Sequence, residues 1–247
     1  MSGHSKWSSI KHKKAKTDAT RGKVFTKLIR EITVAARVGG ADPEGNPRLR
    51  LAIQAAKSNN MPNDNIQRAI KKGAGEAEGA GYQEITYEGY GAGGVALMID
   101  ALTDNRNRTT AEVRHALGKH GGSLGETGCV AWNFEVKGVI RVSTKRVDEE
   151  TLMGAALEVG ADDVRQEGDV FEVTCAPTEL HRVSVALGER HIPFESAELE
   201  RVPNTTVKLD EEGAKKILKM MEALEDLDDV QRVSANFDIP DEILQEG

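Results

Sequence analysis

Residues 93–121 read GGVALMIDALTDNRNRTTAEVRHALGKHG, and the period of the sequence changes inside them. The first ten, GGVALMIDAL, are a glycine-bounded apolar run of strand length. NRTTAEVRHALGKHG then reads as a helix, and Thr109-Thr110-Ala111-Glu112 has the form of a capping box. That box predicts a helix over 110–120 and leaves Asn105, Arg106, Asn107 and Arg108 in the loop between strand and helix.

The same alternation continues downstream. CVAWNFEV (129–136), VIRVS (139–143), VFEVTCA (170–176), FESAELERV (194–202), TTVKL and VQRVSANFDI (230–239) read as strands. DEETLMGAALEVG (148–160), TELHRVSVALGERH (178–191) and DEEGAKKILKMMEALEDL (210–227) read as helices between them. Short strands and helices in this order predict split-βαβ, ferredoxin-like sheets. The seven strand-like segments are too many for one such sheet, so two α+β domains are expected.

Upstream the period is helical. Phe25, Leu28, Ile32 and Ala35/Ala36 recur at helical spacing between Asp18 and Val38, and Gly39-Gly40 stops the run. Asn46 and Pro47 open a second helix through Leu49, Ala52, Ile53 and Ala56, which Met61-Pro62 breaks. A third, short helix carries Ile66, Ala69 and Ile70 and ends at Gly73. Three amphipathic helices make a small helical domain. GAGEAEGAGY (73–82) reads as a linker, and residues 1–17, with almost nothing to bury, read as a mobile arm.

Charge divides the chain at the same place. The formal net charge is −7, yet residues 1–73 hold sixteen basic residues against five acidic ones, a net +11, and the remainder carries −18. Two parts with different partners follow. In the arm, Lys6, Lys11, Lys13, Lys14 and Lys16 surround Trp7 and His12, so phosphate-neutralising charge lies beside rings that can stack on an unpaired base. Arg21 follows, and Lys23, Lys27, Arg30 and Arg37 form a stripe away from the Phe25/Leu28/Ile32 face. Arg106 and Arg108 add an anion contact beside a helix N-terminus, unless they pair with acids of their own half. The part after residue 73 should face outward from a polyanion, or towards a basic protein partner.

Other chemistries find little support. GYGAGG (89–94) precedes a strand, whereas a nucleotide loop follows one, so it reads as a tight turn. Glu112 and His115 stand at i, i+3 in a single copy, too few for a metal site. No GxSxG elbow occurs. No catalytic residue, cofactor, metal or small-molecule ligand is expected. Cys129 and Cys175 are far apart, lie in apolar strand-like runs and read as buried free thiols of a reducing, cytoplasmic protein. No run approaches the length of a membrane span.

GHSKW, IKHKKAK, RGKVFTKLIREITVAAR, NPRLRLAI, NMPNDNIQRAIKKG, YEGYGAGGVA, LTDNRNRT and AEVRHA, in register from residue 3 to about residue 135, closely resemble the YebC (YebC/PmpR) family. Ala92 stands where the family's YGPGG turn carries proline, and Ser8-Ser9 stands where Ala-Asn is usual. The resemblance implies a helical domain at 1–76, an α+β domain split between 77–136 and 205–247, and a second α+β domain inserted at 137–204. It also implies a non-enzymatic nucleic-acid-binding regulator of gene expression. One form is a cytoplasmic DNA-binding transcriptional regulator. The alternative is a ribosome-associated translation factor bound to ribosomal RNA, as in mitochondrial relatives that activate translation. A protein-interaction scaffold working through the acidic domains is the third reading.

Overall fold

The computed structural model describes residues 18–75 and 81–239, with side chains from Gly22 onward. The arm, the linker residues 76–80 and residues 240–247 lie outside the described residues.

Helices α1 (Asp18–Gly39), α2 (Pro47–Ser58) and α3 (Asn63–Ala74) pack around one core, in which Ile32 and Ala36 meet Leu49, Ala52, Ile66 and Ile70. Asn46 caps α2: its Oδ1 accepts from the Leu49 N–H at 3.0 Å, while its Nδ2 donates to the Ala35 and Gly40 carbonyls, both at 2.8 Å. The cap therefore also ties α2 to the end of α1. The sequence pattern ends the third helix at Gly73, but α3 continues through it. A Cβ there would lie 2.3 Å from the Thr33 carbonyl oxygen, so glycine is required by the α1–α3 approach and not by a helix stop.

From Gln83 the chain forms β1 (Gln83–Tyr90), β2 (Ala96–Thr103), α4 (Arg106–Lys119) and β3 (Ser123–Leu124). Then come β4 (Phe134–Ser143), α5 (Glu149–Glu158), β5 (Asp163–Glu167), β6 (Val170–Cys175), α6 (Leu180–Glu189) and β7 (Ser196–Pro203). Last are β8 (Val207–Lys208), α7 (Glu211–Glu225), β9 (Val230–Ala235) and β10 (Phe237–Asp238). Strands β4 to β7 make a wholly antiparallel sheet in the order β5-β6-β4-β7, which is the ferredoxin-like arrangement. The other sheet, β3-β1-β2-β9, has the same spatial order with a different chain entry: β2, β3, β1 and β9 take the first to fourth places. Each four-stranded sheet, the first built on β1 and β2 and the second on β4 to β7, has two helices on one face, and β8 and β10 form a separate parallel pair. Leu97, Ile99, Leu117, Ile217 and Met220 fill the core under α4 and α7. Ile140, Val142, Phe171, Leu152 and Leu187 fill the one under α5 and α6. Each such side chain contributes about 1.5–3 kcal/mol by leaving water.

Several local expectations change. QEITYEGY is a strand, β1, hidden by its mixture of glutamates and tyrosines. DVRQE is another, the edge strand β5. Residues 129–133 are not a strand: β4 starts at Phe134 and absorbs 139–143 in one ten-residue run. The N–H groups are used elsewhere: the Glu88 carboxylate accepts from Gly128, Val130 and Ala131 at 2.6, 2.8 and 2.9 Å, and Cys129 and Asn133 donate to the Glu126 and Val130 carbonyls. Cys129 is consequently only half-buried, while Cys175 is buried as expected. Burial, with Asp162 and Glu179 nearby, pushes the Cys175 thiol up to about 11. GYGAGG is the turn expected, with Gly93 and Gly94 at φ of 71° and 78°. No helix among the described residues is long and apolar enough to cross a membrane.

Candidate nucleic-acid interface

The α1 stripe does not face solvent alone. It lies against the end of α7 and the acidic turn that follows. Lys23 Nζ is 2.9 Å from Asp226 Oδ1, and Lys27 Nζ donates to the Glu225 carbonyl at 2.6 Å. Arg30 Nη1 donates to the Asp228 carbonyl and, at 2.8 Å, to Asp229 Oδ1, with its guanidinium 5.7 Å from the Tyr82 ring centroid. Cations meeting the carbonyl end of a helix also oppose its negative dipole end. In this arrangement three of the residues expected to hold phosphate are holding the molecule's own anionic turn. Arg37 lies exposed in the last turn of α1.

Asp229 is the centre of that junction, with a side chain only 3% exposed. Its Oδ2 accepts from Arg108 Nη2 at 2.6 Å, from Thr109 Oγ1 at 2.7 Å and from Thr103 Oγ1 at 3.0 Å. Burial alone would raise its pKa, but the hydrogen bonds from Arg108, Thr109 and Thr103 outweigh it and hold the carboxyl below the usual range. Arg108 also pairs with Asp104 at 2.8 Å. The loop expected at 105–108 is in fact the cap and first turn of α4: Asn105 Oδ1 accepts from the Arg108 N–H at 3.1 Å, one turn earlier than the capping-box pattern places the start. Arg106 and Arg108 therefore lie on a helix and point to different neighbours, Arg106 to an open groove and Arg108 to Asp229. A second link between the helical domain and β1 runs through Arg48, which binds Glu31 at 2.7 Å and Glu84 at 2.6 Å.

Burial of Ile66, Ala69, Ile70 and Gly73 turns Arg68, Lys71 and Lys72 of α3 outward on one face. All three are exposed, and none forms an ion pair among the described residues. Charge runs alone hid this face; the apolar spacing of α3 was the signal that would have found it. The arm residues Lys6, Trp7, Lys11, His12, Lys13, Lys14 and Lys16 lie outside the described residues, as does the side chain of Arg21.

Two further features are polar centres of the sheets. On the helix-free face of the second sheet, Arg141 is 2% exposed between Glu200, which it binds through two nitrogens at 2.6 and 2.9 Å, and Glu172, which accepts from its Nε at 3.0 Å. The surrounding hollow sets Asp162, Asp163, Glu167, Glu172 and Glu200 against Lys137 and Arg165, an acidic excess that disfavours phosphate. Near the first sheet, Trp132 is 72% exposed and Tyr90 40% exposed, and both rings donate to one carbonyl, that of Cys129, at 3.0 and 3.1 Å.

Comparison with known proteins agrees with this architecture. A family model described as the TACO1/YebC protein N-terminal domain matches residues 5–76, and one described as the TACO1/YebC second and third domain matches residues 82–237. The chain belongs to the TACO1/YebC family. Members named probable transcriptional regulatory protein include one from Geobacter sulfurreducens, 58% identical over 245 residues and covering 99% of each chain. Another, from Sulfurihydrogenibium sp., is 54% identical over 247 residues, covering 99% of this chain and 98% of its own. The crystal structure of a conserved hypothetical protein from Aquifex aeolicus matches with a TM-score of 0.87 at 57% identity, covering 94% of this chain and 96% of that one.

Proposed function

We propose that this TACO1/YebC family member is a non-enzymatic, DNA-binding transcriptional regulator that grips the phosphate backbone through its helical domain. The observation that carries the reading is the α3 face of Arg68, Lys71 and Lys72, exposed and without ion pairs among the described residues, in a segment of net charge +11. Lysines and arginines on such a face release counterions from DNA and fix position without reading bases. The names of the relatives point the same way. The acidic remainder is repelled by phosphate, so the molecule docks with its helical domain first.

With about five phosphate contacts, log K against log salt slopes at roughly −4 to −5 on duplex DNA. Removing residues 2–16 and reversing Arg68, Lys71 and Lys72 should each flatten that slope. Affinity indifferent to salt, or unchanged in both variants, defeats the reading.

A second reading, a translation factor seated on ribosomal RNA, is favoured by one observation. Trp132 and Tyr90 are exposed yet pinned to the same carbonyl, which is how a stacking platform for unpaired bases is built. Co-sedimentation with ribosomes that survives DNase and is lost on Trp132→Ala would favour it over DNA.

A further inference from the structure

In the first sheet the second-strand place is almost vacant. β3 pairs with β1 only at Gly89 and Tyr90, two of its eight residues. The Gly125 N–H donates to the Glu88 carbonyl at 2.8 Å, and the chain then peels away into the loop fixed by the Glu88 carboxylate. Peptide groups alternate sides along a strand, so Thr86 and Glu84 turn theirs to the same side as Glu88, where no strand among the described residues pairs with them. The edge is held open by its own loop.

A cavity of about 560 Å³ runs along that edge. Its floor includes Ile85 and Tyr87, and α4 walls it with Arg106, Thr110 and Arg114, one helical stripe at i, i+4 and i+8. The arginines are the informative part. Of the ten arginines in residues 82–239, seven are in ion pairs: Arg108, Arg141, Arg165, Arg182, Arg190, Arg201 and Arg232. Arg106 and Arg114 are two of the three that form none among the described residues, and both line this cavity. In a part carrying −18, two arginines on one helix face that meet no carboxylate among the described residues are available to an anion from outside. Of the carboxylates lining it, Glu88 is taken up by the loop N–H groups and Glu126 is exposed.

We propose that this groove binds an extended acidic peptide of a partner protein, which adds as a strand to β1 and sets its carboxylates against Arg106 and Arg114. An open strand edge offers N–H and C=O groups in alternation, and a peptide backbone answers both, whereas a phosphodiester backbone has no N–H to offer. Spacing gives the peptide a pattern. Eight helical residues advance about 12 Å, and four strand residues about 13 Å, so acids at i and i+4 meet the two arginines. The site is separate from the phosphate grip of the helical domain and stands or falls without it.

The test uses the full chain and a fluorescein-labelled peptide, Val-Glu-Val-Thr-Val-Glu-Val, followed by anisotropy. Saturable binding is expected. It should weaken at least tenfold on Arg106→Glu with Arg114→Glu, which are exposed positions that leave the fold intact by circular dichroism. Thr86→Pro, which removes an edge N–H, should weaken it similarly, and the peptide with lysine for both glutamates should not bind. Binding should also slow hydrogen exchange at the Thr86 amide. No binding by the folded wild type overturns the proposal, as does binding indifferent to the double arginine variant. An oligo(dT) strand that binds where the peptide does not, and loses affinity in that variant, assigns the groove to nucleic acid and equally overturns it.

Discussion

At Asp229 one carboxylate is shared by two arginines, Arg30 and Arg108; at Arg141 one guanidinium is shared by two glutamates, Glu172 and Glu200. The centres are electrostatic mirror images, and they differ in what surrounds the outer partners. Arg108 is 44% exposed and Arg30 17%, so both have water to return to. Glu172 and Glu200 are 11% and 6% exposed and have almost none. The first centre joins the helical domain to the first sheet and can let go. The second lies within one sheet and cannot. Where charges can retreat, an ion pair is a clasp; where they cannot, it is a fixed part of the fold.

The largest test of that contrast is Arg141→Ala. It strands two buried carboxylates, and a loss of about 3–5 kcal/mol is expected from the urea midpoint. Replacing the whole triad, Arg141→Met with Glu172→Leu and Glu200→Leu, should be near neutral or stabilising, because no unpaired charge remains. Asp229→Ala should cost less, about 2 kcal/mol, since Arg30 and Arg108 regain water when their partner is removed. Its signature should be local: faster hydrogen exchange in α1 with that of the second sheet unchanged. The same variant removes the carboxylate that holds Arg30, so duplex DNA binding at low salt should tighten. If Asp229→Ala proves costlier than Arg141→Ala, the distinction between clasp and fixture is wrong.

Acid distinguishes the junction next. The folded-state pKa of Asp229 is depressed, so its stabilising contribution is complete above the ordinary aspartate value and is lost as pH falls through the lowered one. Exchange in α1 should therefore rise only on acidification below about pH 4, and Asp229→Asn, which loosens the junction at every pH, should remove that step. Glu88 has the same sign. Burial raises its pKa, but the N–H groups of Gly128, Val130 and Ala131 outweigh it, so the loop that holds the β1 edge open loosens in acid too.

The two centres also differ in how far they could be read from sequence. Elements with one clear period were legible: α1 to α3, with Asn46 as the cap of α2, β2, β6 and the helices over both sheets. β1 and β5 were not, because Glu84, Glu88, Arg165 and Glu167 interrupt the apolar alternation that marks a strand; Glu84 is there for Arg48 and Glu88 for the N–H groups of the following loop. The α1 stripe was legible as a stripe, but its neighbour was not. Asp229 stands 199 residues from Arg30, and no local pattern relates them. Arg106 and Arg108 were noticed as a pair, yet a one-turn error in the start of α4 concealed that they face different ways. The α3 face was missed for the opposite reason, since its three cations are unremarkable until the buried side of the helix is known.

The smallest effect expected is at the outer end of the junction, Lys23→Ala. Its pair with Asp226 is exposed on both sides, 45% and 63%, so a change below about 1 kcal/mol is expected, vanishing in high salt. That smallness is useful. If Lys23 contributes almost nothing to the junction, nothing in the fold retains it against solvent, and it can exchange Asp226 for phosphate at no cost in stability. Lys23→Ala should then leave the urea midpoint where it is while reducing the salt slope of DNA binding by about one. Arg30→Ala, at the buried end, should shift the midpoint. A Lys23 variant that moves the midpoint but not the slope would make the whole stripe structural and leave the grip to α3 and the arm.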